Sequence, residues 1–413
     1  MRDITIVGAG QAGLVLGIGL LAHGYRVTLV TSETAAQIGA GPIRSAQGMF
    51  HEALQIERDL GLNTWDAVVP QMRALQFALI GPDGEPAIAW RGELDAPAAS
   101  VDQRLKFPAW MDVFEQRGGR LETRSAGVAD LDELAHACEL LVVAAGKADV
   151  RTLFARDGAK SPFDAPQRAL AMCCVKNTRP YDPVRVSFNL IPGVGEFFCV
   201  PSWGASGACG YLLIEAIPGG PLDGFDGVTA PAQRLALTLE LLAAFVPAEY
   251  ERYVHAELTD PGATLAGRFT PEVRTPVAAL PSGALAFGLG DTVVLNDPIT
   301  GQGSNNATKA AAAYLAAIVA HGDAPFDAAW MQSTFDAHWA SYAAWSTAFT
   351  NALLLPAPAH VQRFLLEATW RPALRRTFVN GFDHPPSLFP WLGDPAACEA
   401  MIEGADAERA LEV

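Results

Sequence analysis

The sequence predicts an α/β protein with a parallel-sheet domain at its start, a β-rich second region and a helical C-terminus. Three observations carry this. The first 31 residues alternate strand, helix and strand; residues from about 165 to 290 read mostly as strands and turns; and nearly everything after about 301 reads as helix interrupted by prolines.

The elements follow in order. Ile4 to Val7 is a short apolar strand, Gln11 to Gly24 has helical length with a glycine stop, and Arg26 to Thr31 is a β-branched strand. That order demands parallel strands. Phe50 to Leu60 has helical periodicity. Residues 70–100 read as strands split by Gly81-Pro82-Asp83-Gly84, a turn sequence. Val101 to Gly118 reads as helix with Pro108 near its first turns, and Glu139 to Ala145 as a buried strand. A helical stretch at 231–246 interrupts the later strands, Leu285 to Leu289 is another apolar strand, and Pro356, Pro358, Pro385, Pro386 and Pro390 break the final helices. The implied organisation is a discontinuous nucleotide domain (1–70, 99–165 and 280–335), a substrate-binding domain (71–98 and 166–279) and a C-terminal helical region (336–413).

Composition narrows the partners. The 413-residue chain carries a net charge of −16, which disfavours nucleic acid and anionic membrane surfaces. The apolar run Leu14 to Ala22 is too short to span a bilayer, and Ala310 to Ala320 reads as a buried helix. The six cysteines form no CxxC pair and sit mostly in apolar runs, so free thiols in a reducing cytoplasm are expected. The sequence leaves the oligomeric state open, a homodimer included.

Gly8-Ala9-Gly10-Gln11-Ala12-Gly13 follows a strand and opens a helix, the Rossmann arrangement for a dinucleotide. Gly8 permits a tight turn, Gly10 lets a pyrophosphate approach, Gly13 lets helix and strand pack closely, and the helix N–H groups face the phosphates. No acid ends the second strand. Thr31 and Ser32 stand there, and Glu33 beyond them is left as either a ribose ligand or a solvated side chain. Late in the chain, Gly290-Asp291 and then Asp297-Pro298-Ile299-Thr300-Gly301-Gln302-Gly303-Ser304-Asn305 open a second long helix. Asp291 suits a ribose or ribityl hydroxyl, and the glycine-rich helix start suits the pyrimidine edge of a flavin.

This pattern resembles the FAD-dependent aromatic hydroxylases of the para-hydroxybenzoate hydroxylase fold. The resemblance implies that Asp291, Pro298, Gly301, Gln302, Gly303, Ser304 and Asn305 line FAD, with Arg104 beside it unless that residue is only a surface arginine. Thr31, Ser32 and Arg44 complete the expected cofactor set. Single-component members carry a second Asp-Gly motif after a central strand. Here the stretch reads Val142-Val143-Ala144-Ala145-Gly146-Lys147. A cofactor reduced elsewhere is the simplest account, and that combination resembles the epoxidase component of styrene monooxygenase and its indole-oxidising relatives. Further shared segments are Gly92-Glu93-Leu94, Val101-Asp102, Arg104-Leu105 and Pro166-Gln167-Arg168-Ala169-Leu170.

The resemblance implies a two-component enzyme: FADH2 arrives from a separate NADH-dependent flavin reductase, reacts with O2 to a C4a-hydroperoxide, and epoxidises indole, with styrene-like alkenes and sulfides as further substrates. Ser45, Gln47 and Met49, at alternate positions of an extended stretch, match the indole type, as does Ala98; Met72 and Leu75 are apolar but not the usual Val or Ile. The trio's other reading is plain strand packing. Ile299 is expected in the pocket wall. No histidine or carboxylate stands in a catalytic motif, because the cofactor carries the chemistry. The alternatives are styrene monooxygenase proper and a single-component NAD(P)H-dependent aromatic hydroxylase; a halogenase, whose WxWxIP signature is missing, and a non-catalytic FAD-binding or prenyl-carrier chaperone also compete.

Overall fold

The computed structural model describes residues 2–45, 47–145 and 148–411. Two sheets organise it. The first has six strands in the order Val277–Ala279, Leu285–Gly288, Leu140–Val143, Asp3–Val7, Arg26–Thr31 and Arg120–Thr123. All neighbours are parallel except the Val277–Ala279 edge. Its central strand Leu140–Val143 is buried throughout, as an apolar strand covered on both faces must be. This sheet begins to draw on the late chain at Val277, upstream of residue 280.

The helix Gln11–Ala22 is buried along Gln11 to Leu20 because it lies between the sheet and the long helix Gln302–His321. It stops at Ala22, short of Gly24, whose φ of +80° makes the left-handed exit that favours glycine.

The second sheet has eight strands. Its path runs Glu257–Leu258, Ala169–Lys176, Gly207–Ala216, Gly195–Gly204, Arg185–Ile191, Met72–Ile80 and Pro86–Ala98, with Thr264–Gly267 also on Ala169–Lys176. It is antiparallel apart from the pairing of Met72–Ile80 with Arg185–Ile191. One face packs on the C-terminal helices. There Phe77 stacks on Trp90, Phe378 meets both edge-on, and the Trp90 Nε1–H donates to the Leu365 carbonyl at 3.0 Å.

The helix Gln103–Gln116 starts two residues after Val101 because the Asp102 carboxylate caps the Arg104 N–H at 2.8 Å. Trp339–Ala343 forms a π-turn within the C-terminal helices, which periodicity does not reveal. No described helix is long and apolar enough to cross a membrane.

Candidate active site

One cavity of about 780 Å³ runs from the C-terminal edge of the parallel sheet to the face of the eight-stranded sheet. At its first end backbone does the shaping. Gly8 has φ +119°, and a Cβ there would lie 2.5 Å from the Ala144 carbonyl oxygen. A Cβ at Gly13 would lie 1.9 Å from the Gly8 carbonyl oxygen, so the helix sits directly on the turn. Gly10 is the opposite case, since a Cβ there would meet nothing within 4 Å. The helix begins with no side-chain cap at Gly10, so its first-turn N–H groups are available to an anion. Gly8, Ala9, Gly10, Gln11 and Ala12 all line the cavity, while Gly13 stands behind them.

The Gln11 side chain turns inward. Its Nε2 donates to Glu57 Oε1 at 2.7 Å and to Thr308 Oγ1 at 2.8 Å. Lys106 Nζ donates to the same Glu57 oxygen at 2.6 Å, and the Lys106 and Glu57 side chains are 2% and 1% exposed. Burial lowers the Lys106 pKa, opposed by Glu57. A buried ion pair therefore braces the Gly8–Ala12 turn through Gln11.

Thr31, Ser32, Glu33 and Arg44 line the adjoining wall. Glu33 is neither simply solvated nor alone: both of its carboxylate oxygens pair with Arg44, Nη2 to Oε1 at 2.6 Å. Arg104 is likewise no surface arginine. Its side chain is 11% exposed, with Nη2 2.7 Å from Asp102 and 2.8 Å from Asp260. Burial disfavours its charge, but hydrogen bonds to Asp260 and Asp102 raise its pKa on balance.

The third group is the late glycine segment. Asp291 presents its surface to the cavity yet lies deep in the protein, and desolvation pushes its carboxyl up to about 6 against the pull of Arg151. Asp297 caps the one-turn helix Pro298–Thr300 by accepting from the Ile299 N–H at 3.2 Å. Gly301, at φ +63°, then starts Gln302–His321, again without a side-chain cap and with open space where a Gly303 Cβ would point. Pro298, Ile299, Thr300, Gly301, Gly303 and Ser304 line the cavity.

Gln302 and Asn305 do not reach it with their side chains. Gln302 is fully buried, donating to the Thr300 and Phe382 carbonyls at 3.2 and 2.8 Å and accepting from the Tyr342 hydroxyl at 2.7 Å. Asn305 donates to the carbonyls of Gly48 and Gly301 at 2.8 and 2.7 Å, and accepts from the Phe50 N–H at 2.9 Å. Both tie the turn to its neighbours, Tyr342 being the partner that sequence reasoning missed.

The residues present fit a flavin dinucleotide. Two uncapped helix starts with open glycine positions face a single cavity long enough to link them, and Asp291 stands beside the second.

At the far end, Ser45, Met72, Leu75, Ala98 and Ile299 line the cavity together. Gln47 and Met49 do not. Gln47 is 3% exposed, its Nε2 3.4 Å from Gln11 Oε1, and Met49 packs with Ala53, Leu54, Val69 and Val101. The trio does not share a face because the segment is no regular strand; among its described residues Met49 alone forms a bridge, to Ala99. Ala46 and Gly146–Lys147 lie outside the described residues.

The strands contribute further walls, Met172, Phe198, Val200, Tyr211 and Leu213. Their signal was present as alternation, Phe198 with Val200 and Tyr211 with Leu213. Among described residues, no His or acid of the eight-stranded sheet lines this end, and no cluster suited to a metal ion occurs anywhere.

Comparison with known proteins gives the chain its relatives. Residues 146–252 match the family model described as the styrene monooxygenase A putative substrate binding domain. The chain is 31% identical over 330 residues to styrene monooxygenase StyA of Pseudomonas fluorescens, covering 78% of each. Among solved structures, a flavoprotein/dehydrogenase from Cytophaga hutchinsonii superposes with a TM-score of 0.69 at 13% identity over 99% of both chains. The flavin-dependent brominase Bmp2 gives 0.65 at 17% identity over 98% of this chain and 99% of that one. These likenesses show the fold, a Rossmann-type FAD-binding domain with a β-rich domain and C-terminal helices. The sequence relationship places this chain in the styrene monooxygenase family, as an FAD-dependent monooxygenase.

Proposed function

We propose that the chain takes FAD already reduced by a separate NADH-dependent flavin reductase and epoxidises indole, with styrene-like alkenes and sulfides as further substrates. The observation that carries this is the apolar end of the cavity, which adjoins the Pro298–Ser304 turn and carries no His or acid from the eight-stranded sheet.

Bound reduced FAD with O2 would supply the oxygen-transferring chemistry there. The Gly8–Ala12 turn and the Gly301–Ser304 helix start would hold the cofactor by its phosphates and its pyrimidine edge. Asp291 would accept from a sugar hydroxyl, Arg104 and Arg44 would close the flanking wall, and Met72, Leu75, Ala98 and Ile299 would exclude water and orient a flat apolar substrate. Ser45, at the mouth of that end, matches the indole type.

The test is product formation from indole with FAD, NADH, an unrelated flavin reductase and catalase. Blue pigment that requires both reductase and this protein supports the proposal. Pigment without reductase means that the chain oxidises NADH itself. Peroxide alone, with no oxidised indole, ends the indole reading and leaves styrene as the substrate to assay.

A further inference from the structure

Behind the Pro298–Thr300 turn three acidic side chains are buried with one cation. Glu215 is 0% exposed, Asp297 1%, Glu196 4% and Arg168 5%. Glu215 and Glu196 face each other across paired strands. Arg168 is committed elsewhere: Nε and Nη2 reach the two Glu196 oxygens at 2.7 and 2.9 Å, and Nη1 reaches the Gln167 carbonyl at 2.9 Å.

Neither carboxyl oxygen of Glu215 meets a protein N–H or hydroxyl donor among the described residues. The carboxyl that acts on it most strongly is that of Asp297. Two carboxylates in contact repel unless one carries a proton, and a fully buried anion without donors is costly. Asp297 already accepts from the Ile299 N–H. Glu215, which has no such donor, is the better place for the proton.

We propose that Glu215 is a positioning residue that remains a neutral acid and, by donating to Asp297, holds the Pro298–Gly301 turn against the cavity. The β-rich sheet thereby sets where the flavin end of the site lies. Glu215 itself does not line the cavity.

The groups facing it are Asp297 from the turn, Glu196 from the neighbouring strand and Arg168, with Tyr211 on its own strand. Burial above all, then Asp297 and Glu196, raises its pKa, and Arg168 opposes. A raised acid means that the fold keeps a proton which the unfolded chain releases within the ordinary carboxylate range. Stability then falls as pH rises through that range towards the folded value, by up to about tenfold in the unfolding constant per pH unit.

The experiment uses the full chain as wild type, Glu215→Gln and Glu215→Leu. Unfolding by denaturant is followed from pH 5 to pH 8 without FAD, and FAD affinity is measured by fluorescence quenching. Gln keeps a donor towards Asp297 but cannot ionise, so it should bind FAD within about threefold of wild type at pH 6 and lose the extra pH slope. Leu removes the donor and should weaken FAD at least about tenfold. Equal slopes for wild type and Gln would overturn the proposal, as would wild-type FAD affinity in the Leu variant. If Leu does not fold, the slope comparison decides alone. Only the affinity arm rests on the flavin reading: failure of wild type itself to bind FAD would refute that reading and leave the slope test standing.

Discussion

The two ends of the cavity are built by different means. The glycine-turn end, the proposed phosphate end, is made of backbone, with Gly8, Gly10 and the first turn of Gln11–Ala22 shaped within a few consecutive residues. The apolar end is made of side chains from distant segments, among them Met72, Met172, Phe198, Tyr211 and Ile299. Consecutive backbone can present donors only if something fixes it. Here that is a buried network of Gln11, Glu57, Lys106 and Thr308. The apolar end is fixed instead by the packing of a core shared by the strands, the Ile299 turn and the C-terminal helices. Phosphate recognition tolerates no change of backbone, whereas a substrate chamber is reshaped by exchanging one side chain.

The first way to break this comparison is to remove the brace. Lys106→Met leaves Glu57 buried with Gln11 as its one remaining side-chain donor among the described residues and should cost ~3–5 kcal/mol of stability. Denaturant unfolding measures it. Adding Glu57→Leu should recover much of the loss, because no buried charge then remains unpaired. A Lys106→Met variant as stable as wild type would show that the phosphate end does not depend on its ion pair.

The same contrast explains how much was legible in the sequence. The glycine motif encodes its own geometry, since φ +119° at Gly8 and the open space at Gly10 belong to neighbouring residues. The Asp297–Gly303 segment was legible for the same reason. The chamber was only partly so. Ser45, Met72, Leu75, Ala98 and Ile299 do converge, but Gln47 and Met49 point elsewhere, because alternation predicts a shared face only in a regular strand. The roles of Gln302 and Asn305 as ties rather than liners depend on carbonyls of Gly48 and Phe382, contacts that no spacing rule encodes. Glu57 lies in the helix that periodicity predicts over Phe50 to Leu60, but its burial beside Lys106 comes from the fold alone.

Gly10→Asp separates stability from binding at the phosphate end. Its φ of −92° suits any residue, and Asp is a favoured N-cap. The carboxylate would satisfy the first-turn donors itself and place an anion where the pyrophosphate is proposed to sit. FAD should bind at least about 100-fold more weakly, roughly 2.7 kcal/mol, while the apo melting temperature stays or rises. Fluorescence titration and thermal melts check the two halves, and undiminished FAD binding would move the cofactor elsewhere.

Ile299→Trp tests the other end. Ile299 is 1% exposed and lines the cavity, so an indole ring there fills the proposed substrate space. We expect kcat/KM for indole to fall at least about 50-fold, roughly 2.3 kcal/mol, with FAD affinity changed by less than about threefold. Retained turnover would place the substrate outside this chamber; lost FAD binding would show that the two ends are not separable at the turn.

The smallest effect is expected at Asp291, between the two ends. Its folded value of about 6 lies above the ordinary 3.8. The fold therefore binds a proton that the unfolded chain has already released between those values, and stability declines as pH rises across that window. Asp291 is open to the cavity, so solvent there weakens the effect. Asp291→Asn should flatten the decline between pH 4 and pH 6 in denaturant unfolding of the apo chain. It should also weaken FAD modestly at pH 7, where the ionised side chain is the better acceptor for a sugar hydroxyl. A variant with the wild-type pH slope but weakened FAD would assign Asp291 to the cofactor alone, whereas a flattened slope with unchanged FAD would make it part of the cavity wall and leave the sugar to other residues.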